Sequence, residues 1–252
     1  MTPWPYPFWI AHRGAGELAP ENTLAAFRLG ARHGWRMFEC DVKLSADGVP
    51  FLLHDSTLER TTNGHGVAGE QPWSALARLD AGSWHSRAYA GEPIPTLEDV
   101  ARWCLAGGRL LTIEIKPTPS QEAVTGRVVA ESAARLWQDA AVSPLLISFS
   151  AEALQATLQA APQLPRGLLL ERLWDGWASA AQRLGCAAIV CDHVLWNAAL
   201  VAQARTLGLR CLAYTVNSPP AAERLIRLGI DGIITDQVGL FNLVLRSTKT
   251  FT

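Results

Sequence analysis

Several features that mark particular classes of protein are absent from this sequence or scarce in it. The 252 residues carry 22 Lys and Arg against 23 Asp and Glu, a formal net charge of -1, and like charges never form a run. Because nucleic-acid binding needs a clustered basic surface, we expect no nucleic-acid partner. Apolar runs fall well short of the roughly 18 residues of a membrane span, so we also expect no stable membrane anchoring.

Cysteine is scarce and shows no ligand or disulfide pattern. There are 5 cysteines, an odd number, and they lack a C-x-x-C or zinc-type spacing. This usage predicts reduced, mostly buried thiols. The first residues have neither a basic stretch nor a long apolar stretch, so they predict no secretory signal. We therefore expect a cytoplasmic protein, and the sequence leaves a homo-oligomer open.

What the sequence does contain is a regular alternation of strands and helices. Counting the first strand and each strand that follows a helix gives eight, ending near His12, Asp41, Lys116, Phe149, Glu171, Cys191, Val216 and Thr235. Eight such units in a chain of this length predict a TIM (β/α)8 barrel. A doubly wound open sheet is the alternative, but no G-x-G-x-x-G follows an early strand. A last helix is predicted from Leu240 to about Leu245.

The segment from residue 55 to residue 95 interrupts the alternation. It is rich in Gly, Ser and polar residues, with one short helix predicted near Trp73 to Leu79. We therefore predict a single barrel domain over residues 1–252, with residues 55–95 inserted after the second barrel strand over the active-site end. Tryptophans such as Trp84 are expected mainly to pack, with one or two walling the pocket, and His85 is expected at the surface.

A predicted β-hairpin over residues 36–55, RMFECDVKLSADGVPFLLHD, carries the densest chemistry. Glu39 and Asp41 lie two residues apart, so they project from the same face of a strand. The dipeptide Asp47-Gly48 predicts a two-residue turn, which would place Asp41 opposite His54. The second arm of the hairpin is then an extra strand outside the barrel.

Charged side chains also end the first and third barrel strands. The active site of a TIM barrel lies at the carboxyl ends of its strands. The first strand ends in His12-Arg13, and the third ends in Glu114-x-Lys116. Together with the two hairpin carboxylates, Glu114 completes an all-oxygen set suited to one divalent cation, Ca²⁺ or Mg²⁺.

Basic and proton-transferring side chains surround this predicted cation site. Arg13 and Lys116 supply positive charge that suits an anionic substrate such as a phosphate. His12 and His54 would then act as a base and an acid on opposite sides of the bound group. These are the parts that phosphodiester cleavage requires. We favour His12 as the base and His54 as the acid, and the sequence leaves the reverse assignment open.

Seven blocks of the sequence resemble those of the bacterial glycerophosphodiester phosphodiesterases, in the family's order and across most of the chain. They are HRGAGELAPENTLAAF, ECDVKLSADGVPFLLHD, LERTTNGHG, TLEDV, LTIEIK, YTVN and DGIITD. The resemblance implies a cytoplasmic-type barrel enzyme that uses a divalent cation. Its reaction would be the hydrolysis of glycerophosphodiesters, for example glycerophosphocholine, to sn-glycerol 3-phosphate and an alcohol.

The resemblance also implies roles for individual residues. These are catalysis by His12 and His54, metal binding by Glu39, Asp41 and Glu114, and phosphate binding by Arg13 and Lys116. Tyr214 departs from the family, which often has a tryptophan before the T-V-N triplet, so the packing of the glycerol or alcohol portion is left open. Tyr214 and Glu171, at other strand ends, are further candidates for substrate binding.

Three other functions fit parts of this pattern. One is another barrel phosphodiesterase, of the phospholipase type, that cleaves lipid head groups. The second is a metal-assisted enolisation enzyme that uses Lys116 and a histidine for proton transfer. The third is a non-catalytic barrel that binds a phosphodiester as a sensor or scaffold. Within the favoured function, the nucleophile is either water or the glycerol 2-hydroxyl, and the second would first give a cyclic phosphate.

Overall fold

Short apolar strands form the centre of the structure, a computed structural model that describes residues 4–241. Its strands are β1 (Trp9–Ala11), β2 (Met37–Leu44), β3 (Pro50–Leu52), β4 (Leu110–Ile115), β5 (Leu145–Ser148), β6 (Arg166–Leu170), β7 (Ala188–Asp192), β8 (Arg210–Tyr214) and β9 (Gly232–Thr235). All except β3 run parallel, each beside its neighbours, and β1 pairs with both β9 and β2. The parallel strands therefore close into the predicted TIM barrel.

Helices connect the barrel strands and cover the outside of the barrel. They are α1 (Leu24–Arg32), α3 (Leu97–Ala106), α4 (Glu122–Leu136), α5 (Ala151–Ala160), α6 (Trp177–Arg183), α7 (Ala198–Thr206) and α8 (Pro219–Leu228). The short α2 (Trp73–Leu76) lies in the inserted segment. Several helices begin at a residue whose side chain accepts a hydrogen bond from the first turn, as Ser150 and Asn197 do. The predicted helix from Leu240 to about Leu245 lies outside the described residues beyond Phe241.

The alternation of side chains along β2 shows how the barrel separates its core from its site. Phe38, Cys40 and Val42 belong to the large apolar cluster between the strands and the helices. Glu39 and Asp41, on the other face, point into the barrel. A second apolar cluster, which includes Ile10 and Leu145, fills the barrel interior. The helix layer thus buries one face of β2 and leaves its carboxylates at the barrel mouth.

The hairpin forms, but its predicted register is wrong by one residue. The antiparallel pairs between β2 and β3 are Val42 with Leu52, Lys43 with Phe51 and Leu44 with Pro50. The residue opposite Asp41 is therefore Leu53, and the Leu53 amide donates a hydrogen bond to the Asp41 carbonyl over 3.1 Å. His54 does not lie directly opposite Asp41. It reaches the barrel mouth because β3 ends at Leu52 and the chain bends afterwards.

The hairpin loop explains the shift in register. The amide of Ser45 donates to the carbonyl of Val49, so the loop has three residues, 46–48, instead of the predicted two. Gly48 ends this loop with a φ of 81°, in the left-handed region that glycine adopts without steric cost. A type I turn followed by a left-handed glycine is the usual geometry of a three-residue hairpin loop.

The inserted segment between β3 and α3 has a small core of its own. Its buried apolar residues are Phe51, Leu53, Leu58, Ala68, Leu76, Ala81 and Ile94. The helix predicted near Trp73 to Leu79 is shorter than expected and ends at Leu76. Asp80 organises the following loop by accepting hydrogen bonds from the amides of Gly82, Ser83 and Gly91. The prediction of a single domain over residues 1–252 extends beyond the described residues at both ends.

Within residues 4–241, the structure has neither a membrane-spanning helix nor a disulfide. Every described helix is too short or too polar to cross a membrane. The five cysteines are unpaired, and all are buried except the half-buried Cys186. The thiols are thus placed as the sequence predicts.

Candidate active site

Three carboxylates meet at the carboxyl ends of β2 and β4. The strand register places Asp41 beside Glu114, and Glu39 lies two residues earlier on the same face of β2. One oxygen from each of the three lies within 4.8 Å of the other two. Glu39 and Asp41 are each 1% exposed, and Glu114 is 9% exposed. Burying three like charges this close together requires compensating positive charge.

The three carboxylates fit a divalent cation. Glu39 Oε1 is buried and has no hydrogen-bond partner among the residues that the structure describes. Burial, with the neighbouring charge of Asp41, raises the pKa of Glu39 to about 8. Burial and Asp41 likewise raise the pKa of Glu114. A buried, unpartnered oxygen beside two further carboxylates is a donor set that a hard cation satisfies.

Asn22 holds Asp41 in place, a role that the sequence does not reveal. Its Nδ2 donates to Asp41 Oδ2 over 2.8 Å, and its Oδ1 accepts from the Asp41 amide over 3.1 Å. Asn22 has a φ of 58°, in the region where asparagine is enriched among residues other than glycine. Thr23 caps α1 by accepting a hydrogen bond from the Ala26 amide. Asn22 is thereby left to orient the carboxylate.

Arg13 and Lys116 supply the nearest positive charges. The Arg13 amide donates to Glu39 Oε2 over 3.1 Å, and its Nε lies 3.3 Å from Asp41 Oδ2. Lys116 Nζ donates to Glu114 Oε1 over 2.9 Å and lies 3.8 Å from Asp41 Oδ1. Burial acts to raise the pKa of Asp41, but Arg13 and Lys116 outweigh it and the pKa is lowered. Asp41 is thus held as the anionic member of the set.

Lys43 is a further cation at the site that sequence reasoning missed. It is 2% exposed, and its Nζ donates to the Lys116 carbonyl over 3.3 Å. Burial and the charge of Lys116 lower the pKa of Lys43 to about 8. The one available signal was its position on β2, two residues after Asp41 on the same face.

His12 is oriented by a carboxylate from the last barrel strand. Its Nδ1 lies 2.6 Å from Asp236 Oδ1, and its Nε2 lies 3.7 Å from Glu39 Oε2. Asn217 donates to the second oxygen of Asp236 over 2.8 Å and so fixes that carboxylate. Burial acts to lower the pKa of His12, but the hydrogen bond to Asp236 and the charge of Glu39 outweigh it and raise the pKa. The sequence places Asp236 at a strand end without indicating this partner.

His54 is oriented by the residue that follows it. Its Nδ1 lies 2.7 Å from Asp55 Oδ1, and Arg60 binds both oxygens of Asp55. Arg60 also donates to both oxygens of Glu21, over 2.8 Å each. Burial, together with the charges of Arg13 and Lys116, lowers the pKa of His54 in spite of Asp41. The pKa values of the two histidines are therefore shifted in opposite directions.

The two remaining candidates lie at the edge of this group. The Tyr214 hydroxyl is buried and without a hydrogen-bond partner in residues 4–241, and its ring centre is 5.9 Å from that of Phe149. Burial raises the pKa of Tyr214, and the charge of nearby Glu171 acts in the same direction. Glu171 is exposed, and within the described part of the chain no hydrogen bond or ion pair joins it to the three carboxylates. The other residues predicted for the site lie together at the barrel mouth: His12, Arg13, Glu39, Asp41, His54, Glu114 and Lys116.

Two cavities flank the carboxylates. The His12 cavity, of about 470 Å³, is lined by His12, Arg13, Glu17, Glu21, Arg60 and Trp84, among others. The His54 cavity, of about 220 Å³, is lined by Lys43, His54, Glu114, Lys116 and Phe149, among others. Two larger cavities, of about 570 and 650 Å³, lie at the opposite end of the barrel and are lined by neither carboxylates nor histidines. Of these four cavities, the two at the mouth are the ones lined by histidines and carboxylates.

Comparisons with known proteins identify relatives that span most of the chain. The chain is 33% identical over 241 residues to a glycerophosphodiester phosphodiesterase from Caldanaerobacter subterraneus, covering 93% of this chain and 96% of that protein. Its structure resembles that of an Oleispira antarctica phosphodiesterase in complex with the product sn-glycerol 3-phosphate, with a TM-score of 0.88, 30% identity and 97% of both chains covered. A glycerophosphodiester phosphodiesterase from Agrobacterium tumefaciens matches with a TM-score of 0.76 and 28% identity, over 94% of this chain and 100% of that one.

Family membership follows from a match over nearly the whole chain. The model of the glycerophosphoryl diester phosphodiesterase family matches residues 12–240, from the first histidine of the site to the last described residues. The matched range includes every site residue predicted from the sequence. The chain therefore belongs to the glycerophosphoryl diester phosphodiesterase family, whose members are phosphoric diester hydrolases.

Proposed function

We propose that this protein is a metal-dependent enzyme that hydrolyses glycerophosphodiesters, such as glycerophosphocholine, to sn-glycerol 3-phosphate and an alcohol. The observation that carries the proposal is the buried set of three carboxylates with His12 on one side and His54 on the other. The similar Oleispira antarctica phosphodiesterase, solved with sn-glycerol 3-phosphate, supports the proposed product.

Glu39, Asp41 and Glu114 would hold one divalent cation, Ca²⁺ or Mg²⁺. Such an ion, when bound, neutralises the carboxylates and polarises a phosphoryl oxygen. The unpartnered Glu39 Oε1 supports this assignment, because that oxygen is buried and available as a ligand. Asn22 would keep Asp41 oriented for the same purpose through its two hydrogen bonds.

Arg13, Lys116 and Lys43 would bind the phosphate of the substrate. A lysine ammonium has three donors, and Lys116 Nζ uses one of them on Glu114. Lys43 Nζ uses one on the Lys116 carbonyl, so it too retains donors beside the His54 cavity. Tyr214 and Phe149 would form a wall for the glycerol portion, with the Tyr214 hydroxyl available to a substrate hydroxyl. Glu171 remains a candidate contact at the outer edge.

His12 and His54 would transfer the protons. Each holds its Nδ1 against a carboxylate, Asp236 or Asp55, which leaves Nε2 to exchange a proton with the substrate. One histidine removes the proton of the nucleophile, which is water or the glycerol 2-hydroxyl. The other donates a proton to the oxygen of the departing alcohol.

The proposal is tested by the release of sn-glycerol 3-phosphate from glycerophosphocholine, followed with a coupled dehydrogenase. We expect turnover that EDTA abolishes and that added Ca²⁺ or Mg²⁺ restores. His12→Ala is expected to lower kcat by about 100-fold or more. Glu131→Gln, an exposed carboxylate on α4, is the matched control and should retain wild-type activity. Wild-type turnover that persists in EDTA, or a fully active His12→Ala variant, would refute the proposal.

We further propose that the enzyme is cytoplasmic. The support is its five unpaired cysteines, four of them buried, which suit a reducing compartment. We propose a small-molecule substrate and no nucleic-acid partner, in keeping with the near-zero net charge. A homo-oligomer remains open.

A further inference from the structure

The His12 cavity and the His54 cavity differ in their unpaired charges. At the His54 cavity, Lys43 and Lys116 face a single lining carboxylate, Glu114. The positive excess suits the phosphate-bearing half of a diester. At the His12 cavity, in contrast, both lining arginines are already paired with carboxylates. Arg13 pairs with Asp41 and Glu21, and Arg60 pairs with Glu21 and Asp55.

Glu17 is the carboxylate of the His12 cavity that forms no ion pair with the described residues. Its Oε2 accepts a hydrogen bond from Gln237 Nε2 over 3.0 Å. No lysine or arginine within residues 4–241 forms an ion pair with it. Of the other two lining carboxylates, Glu21 forms ion pairs with Arg13 and Arg60. Asp236 is paired with His12. The His12 cavity therefore presents a negative charge that a cation could neutralise.

Trp84 places an exposed indole at the lining of the same cavity. The indole is 40% exposed, although its Nε1 is anchored to the Ala81 carbonyl over 2.9 Å. The imidazole of His85 packs edge-on against it at 5.6 Å between ring centres, and His85 Nε2 lies 3.1 Å from the Glu17 carbonyl. A single exposed tryptophan is common on protein surfaces. This one is held by a hydrogen bond and a ring contact, and it lines a cavity beside a proposed catalytic histidine.

We propose that the His12 cavity receives the alcohol portion of the diester and selects alkylammonium alcohols, such as choline and ethanolamine, through the Trp84 face and the Glu17 carboxylate. The inference rests on the proposed phosphodiesterase function and adds to it the residues that select the alcohol. An aromatic face attracts a quaternary ammonium through its quadrupole. A nearby carboxylate adds direct charge attraction, which is strongest at low ionic strength.

The test compares two diesters, glycerophosphocholine and the uncharged-alcohol analogue glycerophosphoglycerol, by release of sn-glycerol 3-phosphate. Trp84→Ala and Glu17→Gln are each expected to lower kcat/KM for glycerophosphocholine by about 5- to 30-fold. Their loss of kcat/KM for glycerophosphoglycerol should be clearly smaller, because that alcohol carries no charge for the Trp84 face or the Glu17 carboxylate to attract. Trp84→Phe keeps an aromatic face and should retain part of the preference.

Trp174→Ala is the matched control, because Trp174 is 42% exposed on the loop after β6 and so resembles Trp84 in exposure. It should leave the ratio of the two kcat/KM values unchanged. Equal losses on both diesters in the Trp84 and Glu17 variants, or no loss on either, would overturn the inference and leave the proposed function standing. If the wild-type protein released sn-glycerol 3-phosphate from neither diester, the proposed function itself would fail.

Product inhibition gives an independent measurement that does not depend on a charged substrate. Choline and its uncharged isostere 3,3-dimethylbutan-1-ol have the same shape and differ in charge. With glycerophosphoglycerol as substrate, we expect choline to inhibit the wild-type enzyme more strongly than the isostere. The difference should shrink in Trp84→Ala and in Glu17→Gln. Equal inhibition of the wild-type enzyme by the two alcohols would count against a cation-selective site.

Discussion

Each of the two histidines of the site is oriented by a carboxylate, and a further side chain holds that carboxylate in place. Asp236, which binds His12, is bound by Asn217, and Asp55, which binds His54, is bound by Arg60. Such pairs determine which ring nitrogen faces the substrate. The two histidines are therefore held in the same way but line different cavities. In the proposed mechanism, the cavity that each one lines determines its role.

The position of the leaving group assigns those roles. If the alcohol occupies the His12 cavity, then His12 protonates it and His54 activates the nucleophile. A 4-nitrophenyl ester of glycerol 3-phosphate needs no such proton, because nitrophenolate is a good leaving group. We therefore expect His12→Ala to lose about 100-fold or more on glycerophosphocholine and much less on the nitrophenyl ester.

The same comparison with His54→Ala provides the contrast, because a missing base slows both substrates alike. Nitrophenol release and sn-glycerol 3-phosphate release measure the two reactions. Selective rescue of His54→Ala by the nitrophenyl ester would instead support His12 as base and His54 as acid, the assignment that the sequence favours.

Most of the residues proposed to react could be named from the sequence, while the residues that hold them in place could not. Glu39, Asp41 and Glu114 are recognisable because carboxylates on one face of a buried strand need a cation or a basic partner. Asn22 and Asp236 gave no such signal. Asn22 binds Asp41, 19 residues away in the sequence, and Asp236 binds His12, 224 residues away. Separation along the sequence does not show that these residues are neighbours in the folded chain.

Among the secondary-structure elements, helix starts follow from the local sequence and the hairpin register does not. For example, α3 begins at Leu97, directly after Thr96, a residue type that favours the position before a helix. Helix caps depend on contacts within four residues, so local sequence determines them. The register of β2 and β3 depends on whether the loop closes with two or three residues, and Asp47-Gly48 is compatible with both. Only the pairing in the folded chain distinguishes them.

The capping box of α3 yields a stability prediction. The Thr96 side chain accepts from the Asp99 amide over 3.1 Å, and the Asp99 carboxylate accepts from the Thr96 amide over 3.0 Å. Thr96→Ala should lower the free energy of unfolding by about 1 kcal/mol without changing activity. Urea denaturation measures this change.

Ser218 serves as the control for that measurement. It occupies the same position before α8, but its side chain makes no capping hydrogen bond. Ser218→Ala should therefore change the free energy of unfolding by less than about 0.5 kcal/mol. Equal losses in the two variants would show that the Thr96 hydrogen bonds do not stabilise α3.

At the scale of the whole molecule, the closed barrel brings together side chains from distant parts of the sequence. His12 comes from the end of β1, Glu114 from β4 and Asp236 from the end of β9, and parallel closure places all three at one mouth. The inserted segment contributes Arg60 and Trp84 to the cavity beside them. The cost of collecting three buried carboxylates falls on the stability of the whole fold.

A cation that binds only the folded protein should offset that cost. At a concentration about 100-fold above its dissociation constant, Ca²⁺ or Mg²⁺ would add about 2.7 kcal/mol of stability. For a chain of this size, that is a rise in Tm of about 5–10 °C. Thermal unfolding followed by circular dichroism, with and without EDTA, measures the shift.

Glu39→Gln tests whether the shift comes from this site. The variant removes one of the three like charges, so without cation it should be at least as stable as the wild type. Its Tm should no longer rise on adding the cation. An equal rise in wild type and Glu39→Gln would mean that the ion binds elsewhere.

The sequence alone determined the barrel, because the alternation of buried strands and amphipathic helices is a local pattern repeated along the chain. It also indicated which residues would form the site, since their types and strand-end positions are local properties. Only the tertiary structure decided the hairpin register, the partners of the two histidines and the separation of the mouth into two cavities of different charge. These features depend on distances between residues far apart in the chain, and the folded barrel sets those distances.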